Sequence, residues 1–226
     1  MKKVTVKNLI EFRGKNDRTK ITFVNNLKKE KVKSDDDSSG GDYWSSALSA
    51  IRNTFKYDNA KLLDEKIELL LNKIETKENE RIENQFRRNL EIVSNFKEYD
   101  FEHLKPEAEI KFLKQKKYQS LLTIKGLPIE AKPCHIYSFS INKSEEIGGI
   151  WFVAQLDGFK KSELAMFADI LYRYLNENYA KEFFVNAKYC IAVDLYKGQD
   201  VSYKDIQEGN IPVLIESTLD DFKKYR

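Results

Sequence analysis

The residues that most clearly indicate catalysis are a carboxylate and an ammonium group two positions apart, Glu130 and Lys132. They lie in a run, residues 128–141, whose side-chain alternation predicts a β-strand. Because side chains two apart on a strand project from the same face, the pair is expected to act together. A divalent-metal nuclease uses such a pair, in which the carboxylate binds Mg²⁺ and the ammonium stabilises charge on the phosphate. An exposed ion pair on a strand has the same spacing, and that alternative stays open.

A metal site of this kind needs a second acidic residue, and Glu109 is the nearest candidate. It precedes the alternating residues 110–113, one predicted strand before residues 118–125, which contain no acidic residue. The nuclease hypothesis therefore assigns Glu109 and Glu130 as metal ligands, and Glu109, Glu130 and Lys132 as catalytic residues. The predicted order of strands and helices resembles the core of the PD-(D/E)XK nucleases at the level of topology only, which implies Mg²⁺ as cofactor. Outside that hypothesis no cofactor is expected.

The N-terminal segment, residues 1–33, is strongly basic. It contains eleven Lys and Arg against three Asp and Glu, a formal charge of +8, whereas the whole chain carries +3. Such a segment can bind nucleic acid or an acidic partner through its long-range field. The residues assigned to this interaction are Lys15, Arg18, Lys20, Lys28, Lys29, Lys31 and Lys33. The alternative is a solvated helical face that the acidic remainder of the chain neutralises.

Other catalytic patterns are missing or weak. The chain has no phosphate-binding glycine loop, no nucleophile-elbow motif and no Cys/His cluster with zinc spacing. Cys134 and His135 are adjacent on a predicted strand, so they point to opposite faces and cannot form a catalytic pair. Asp194 closes another apolar run, where exposure at the strand end is expected.

The elements that would position these residues fall into two halves. Within residues 42–98 apolar side chains recur at steps of three and four, which predicts two or three packed helices. From residue 106 the pattern predicts the order β-β-β-β-α-β-α, so the fold class is α/β or α+β. The predicted divisions are a basic arm and linker at 1–41, a helical layer at 42–105 and a mixed α/β sheet domain at 106–226. A single domain over 42–226 is the alternative.

Composition narrows the class of protein. The 14 Phe, 12 Tyr and 2 Trp supply enough apolar surface for a folded core. Uncharged runs reach about ten residues, short of the ~18 needed to span a bilayer, so we expect no membrane association and a cytoplasmic location. Because no catalytic cluster is recognisable, the leading expectation is an interaction or adaptor protein, or a complex subunit, with a protein partner. The alternative is a nucleic-acid-binding protein or the Mg²⁺-dependent nuclease.

Overall fold

The computed structural model describes residues 3–29, 43–76, 79–114 and 120–226. The helices are α1 (Val6–Arg13), α2 (Asp17–Lys28), α3 (Ser45–Tyr57), α4 (Lys61–Glu75), α5 (Glu80–Lys97), α6 (Lys161–Tyr179), α7 (Tyr203–Gln207) and α8 (Ile215–Lys224). The strands are β1 (Val4–Thr5), β2 (Lys111–Leu113), β3 (Leu121–Ile124), β4 (Leu127–Glu130), β5 (His135–Ile141), β6 (Ser144–Val153), β7 (Phe184–Asp194) and β8 (Gln199–Ser202). A helical first half and a sheet-rich second half confirm the predicted α+β class. Among the described helices, none combines the length and the apolar character that crossing a membrane requires.

Helices α3, α4 and α5 form the layer that the apolar periodicity predicted. Helix α3 buries Leu48, Ile51 and Phe55, which lie on one face at steps of three and four residues. Helix α5 begins where the Asn79 side chain accepts a hydrogen bond from the backbone N–H of Ile82, which satisfies a free donor of the first turn.

A five-stranded sheet in the order β2-β5-β6-β7-β8 is the centre of the fold. Strands β6 and β7 are parallel and connected through α6, and the other neighbouring pairs are antiparallel. One face, which carries Tyr137 and Phe152, packs against the α3–α5 layer. The opposite face, which carries Ile136 and Trp151, packs against α6. Because both faces are covered, the central strands are almost wholly apolar.

A small three-stranded sheet in the order β1-β4-β3 ties the N-terminus into the molecule. Strand β1 runs parallel to β4, with Val4 opposite Ile129. Helix α1 then buries Leu9 and Phe12 in the core, where the Phe12 ring lies 4.9 Å from that of Phe222. The described part of the basic segment is therefore packed onto the body of the protein. The divisions predicted at residues 41 and 105 stay predictions.

Residues 128–141, predicted as one strand, form two strands in two different sheets. Strand β4 ends at Glu130 and strand β5 begins at His135. Pro133 lies between them, and proline cannot donate a hydrogen bond to a strand ladder. The connection, residues 131–134, therefore crosses from the small sheet to the large one, and Lys132 lies on this crossing.

The expectation that Asp194 is exposed at a strand end was wrong. The residue is fully buried. Its Oδ2 accepts a hydrogen bond from the backbone N–H of Phe159 at 2.7 Å, and its Oδ1 accepts one from that of Tyr196 at 3.0 Å. These donors supply the partners that a buried carboxylate requires. Gly158 beside it has φ +66°, and a Cβ there would lie 2.5 Å from Asp194 Oδ2, so the turn requires glycine.

Candidate functional site

A cavity of about 670 Å³ opens where the small sheet, helix α3 and the crossing at residues 131–134 meet. We call it the outer cleft. Its lining residues are Lys3, Arg52, Ser120, Leu121, Glu130, Lys132, Pro133 and Cys134. Three of these are cationic and one is acidic, so the lining carries a formal charge of +2. A cleft with an excess of one charge sign concentrates ligands of the opposite sign, here anions.

Glu130 is the only carboxylate among these eight lining residues, and it holds two of the cations. Its Oε1 accepts hydrogen bonds from the Nζ atoms of Lys3 and Lys132, each at 2.6 Å. Partial burial acts to raise the pKa of the Glu130 carboxyl, but the hydrogen bonds from Lys132 and Lys3 outweigh it, and the pKa is lowered. The ionised carboxylate therefore fixes two ammonium groups side by side at the cleft.

Arg52 brings a guanidinium from helix α3 to the same place. Its Nε donates a hydrogen bond to Cys134 Sγ at 3.1 Å, and its backbone carbonyl accepts one from His135 Nε2 at 2.9 Å. Burial lowers the pKa of His135, so the ring is neutral at pH 7 and carries its proton on Nε2. Over residues 3–29, 43–76, 79–114 and 120–226, no carboxylate forms an ion pair with Arg52. Within those ranges no carboxylate neutralises the guanidinium, so its charge can attract an anionic ligand there.

A second cavity, of about 210 Å³, shares Arg52, Glu130 and Lys132 with the outer cleft. We call it the inner chamber. Its other lining residues are mostly apolar and come from the chain around β1, α3, β6 and α6: Thr5, Val6, Lys7, Leu48, Trp151, Phe152, Val153, Ala154 and Phe167. Lys7 Nζ donates to the Ala154 carbonyl at 3.1 Å. The two cavities together have four cationic residues and one acidic residue in their walls, a formal charge of +3.

The Cys134 thiol is a structural neighbour of Arg52 in this arrangement. Its Sγ also accepts a hydrogen bond from the backbone N–H of Phe152 at 3.3 Å. Burial raises the pKa of the thiol, and the neighbouring Arg52 offsets that effect only in part. The group is therefore a neutral thiol at pH 7, and its contact with Nε helps to hold the guanidinium at the cleft.

The structure brings together two of the three residues assigned to the nuclease hypothesis. Glu130 and Lys132 are in contact, as their spacing indicated. Glu109 is exposed, precedes β2 at the edge of the large sheet and lines neither cavity. In the described ranges no group of three or more His, Cys, Asp or Glu side chains could hold a metal ion. The nuclease activity and its Mg²⁺ stay predictions, without the second acidic residue that the hypothesis placed at the site.

Several of the basic residues assigned in the N-terminal segment make contacts within the molecule. Lys15 pairs with Glu11 at 2.8 Å, and Lys20 pairs with Asp221 of helix α8 at 2.7 Å. Lys28 Nζ donates to the C-terminal backbone at 2.7 Å. Of these contacts, the pair of Lys20 with Asp221 is the one in which an acidic residue from outside the segment neutralises one of its cations, as the alternative expects.

Two of the other assigned residues are described, and no ion pair holds either of them among the described residues. Arg18 and Lys29 are exposed, whereas Lys31 and Lys33 lie outside the described residues. Binding of nucleic acid by this segment stays a prediction.

The sequence reasoning missed Lys3, Lys7 and Arg52. The two lysines flank β1, which has only two residues and therefore no alternation to detect. Arg52 follows Leu48 by four positions, so it lies beside the apolar face of α3, and that position was the available signal.

No protein-family model, no curated protein and no solved structure matches this chain.

Proposed function

We propose that this chain binds nucleic acid and that the outer cleft holds the phosphate backbone. The supporting observation is Arg52, which lines both cavities and forms no ion pair with a carboxylate in the described part of the chain. A guanidinium can bind two oxygens of one phosphate, whereas ammonium groups such as those of Lys3 and Lys132 act as point charges beside it. The three cations come from three separate elements and converge on one cavity, which suits a ligand with several negative charges.

The charge balance favours an anion over a free cation. With one carboxylate against four cations, the walls of the two cavities repel a divalent metal that arrives alone. A phosphate backbone gains from each of these cations and releases counterions as it binds.

The test is a pair of double variants compared by fluorescence anisotropy with a short labelled oligonucleotide. The double variant Lys3→Met with Lys132→Met should weaken binding about tenfold or more. It should also reduce the magnitude of the slope of log affinity against log salt by about 2, because each substitution removes one phosphate contact. The matched control is Lys97→Met with Lys204→Met, which removes the same charge from ion pairs with Asp64 and Glu208 outside both cavities.

Equal weakening in both double variants would show that net charge alone governs binding, and it would refute the cleft. If binding persists in the Lys3→Met, Lys132→Met variant and disappears when Arg18 and Lys29 are replaced by Met, the interaction belongs to the basic segment instead. Adding Mn²⁺ or EDTA to the same samples and running a denaturing gel tests the nuclease hypothesis, in which Lys132→Met abolishes cleavage.

A protein partner is the second candidate function, as the sequence led us to expect. The observation in its favour lies on the α4–α5 hairpin, where Leu69, Leu71 and Ile82 are each more than a third exposed. Leu69 and Leu71 lie on different faces of α4, so each is replaced by Lys separately. One of the two variants should abolish co-purification of a specific partner, and both should leave oligonucleotide binding unchanged. The cytoplasmic location stays a prediction.

A further inference from the structure

The inner chamber adds apolar side chains to the three charged residues that it shares with the outer cleft. Leu48, Trp151 and Phe167 line its wall with 6%, 9% and 2% of their surfaces exposed, and the Trp151 ring packs edge-to-face with that of Phe167, with centroids 5.2 Å apart. The outer cleft contributes cations, and Arg52, Glu130 and Lys132 are common to both walls. A ligand that fills both spaces therefore needs an anionic part and an apolar part joined over a short distance.

A nucleotide unit has this division, because a charged phosphate is attached through a sugar to a flat base with apolar faces. Proteins that hold single strands combine a positively charged groove with aromatic side chains on which bases stack. The chamber volume of about 210 Å³ is less than a third of the 670 Å³ of the outer cleft. The smaller of the two spaces is the one that suits a single flat base.

Resting on the nucleic-acid function proposed above, we infer that the inner chamber takes an unpaired base of a single strand beside Trp151, while Arg52 and Lys132 hold the adjoining phosphate. A base in a duplex is stacked and paired, so placing it in the chamber requires unstacking and unpairing. The site therefore selects single-stranded over double-stranded nucleic acid. RNA and DNA share the chemistry that the two cavities recognise, and both are used as probes.

The experiment compares three ligands of equal length and backbone charge per strand: a single strand, its duplex, and a strand of abasic sugar phosphates. The single strand should bind about fivefold or more tighter than the abasic strand, because the stacking of a base is lost in the latter. The duplex should also bind more weakly than the single strand. The single strand, and not the abasic one, should quench Trp151 fluorescence in a Trp44→Phe background, in which Trp151 is the remaining tryptophan.

A second variant covers the case in which Trp44→Phe does not fold. Trp151→Leu in the otherwise natural chain should weaken binding of the single strand about fivefold and leave the abasic strand unaffected. Equal affinities for the single and abasic strands, or a preference for duplex, would overturn the base-binding chamber and leave the phosphate cleft standing. Failure of all three ligands to bind at low salt would overturn the nucleic-acid function itself.

Discussion

Two clusters of ion pairs in this molecule have similar geometry and different surroundings. The first is the cleft cluster, in which Glu130 pairs with Lys3 and Lys132, and the unpaired guanidinium of Arg52 lines the same cavity among the described residues. The second joins helices α6 and α8 to the turn between β3 and β4, and we call it the α6–α8 cluster; its members are Asp169, Arg173, Glu216, Lys125 and Asp220. Both contain N···O distances of 2.6–2.7 Å, so pair geometry alone does not separate a binding site from a structural contact.

In the α6–α8 cluster each cation forms ion pairs with two carboxylates. Arg173 bridges Asp169 and Glu216, each at 2.7 Å, and Lys125 bridges Glu216 at 3.0 Å and Asp220 at 2.6 Å. Asp169 is 2% exposed, and its Oδ2 has no hydrogen-bond partner among the described residues. Burial therefore raises the pKa of the Asp169 carboxyl, although Arg173 acts against it.

The cleft cluster has the opposite balance. One carboxylate serves two lysines, the guanidinium forms no ion pair in the described ranges, and two cavities adjoin the cluster. An excess of one charge next to open space is the feature that indicates a ligand. A set in which each cation pairs with two carboxylates indicates a contact that fixes the elements it joins.

The largest effect should come from breaking the α6–α8 cluster. Arg173→Met removes the only ion-pair partner that Asp169 has among the described residues and leaves a buried charge. Since Arg173 itself is about one-third exposed, the cost should be about 2–3 kcal/mol of unfolding free energy, below the full cost of a fully buried pair. Urea denaturation measures it, and oligonucleotide binding should not change in the folded variant.

Lys125→Met supplies the control within the same cluster. The carboxylates that Lys125 pairs with, Glu216 and Asp220, are 41% and 59% exposed, so its loss should destabilise the protein much less than the loss of Arg173. Equal losses of unfolding free energy in the two variants would mean that the buried carboxylate of Asp169 does not account for the stability that the cluster contributes.

Much of the fold could be predicted because its signals are local. The stripe of Leu48, Ile51 and Phe55 sets helix α3, and the uninterrupted apolar run that ends near Asp194 sets strand β7. The burial of Asp194 could not be predicted. Its hydrogen-bond donors are the backbone N–H groups of Phe159 and Tyr196, and only the tertiary fold brings Phe159 to it.

Of the candidate site, the contacts between residues close along the chain could be predicted, whereas those between distant segments could not. Glu130 and Lys132 are two positions apart, so their contact follows from the chain itself. Lys3 reaches Glu130 only because the two-residue strand β1 pairs with β4, which is distant along the chain. The break at Pro133 did have a signal, since a proline inside a strand-like run argues against a single strand.

A smaller effect should come from changing the charge of the cleft cluster. Glu130→Gln keeps an acceptor for Lys3 and Lys132 but removes the negative charge, so oligonucleotide affinity should rise about three- to tenfold at low salt. Glu208→Gln is the matched control, because Glu208 pairs with Lys204 and lines neither cavity. Anisotropy titrations compare the two, and a loss of affinity in Glu130→Gln would contradict an anion-binding cleft.

The smallest effect, and the sharpest contrast between the clusters, should be in pH dependence. The pKa of Glu130 is lowered in the folded state, so its contribution to stability is present above its unfolded pKa of about 4.3 and is lost as the pH falls through the folded value. The pKa of Asp169 is raised, so its contribution falls as the pH rises from about 3.9 through the folded value. Urea denaturation of the natural chain, Glu130→Gln and Asp169→Asn between about pH 3 and pH 6 should give stability differences that change with pH in opposite directions. Slopes of the same sign would show that the two carboxylates have similar environments, and the distinction between the cleft cluster and the α6–α8 cluster would fail.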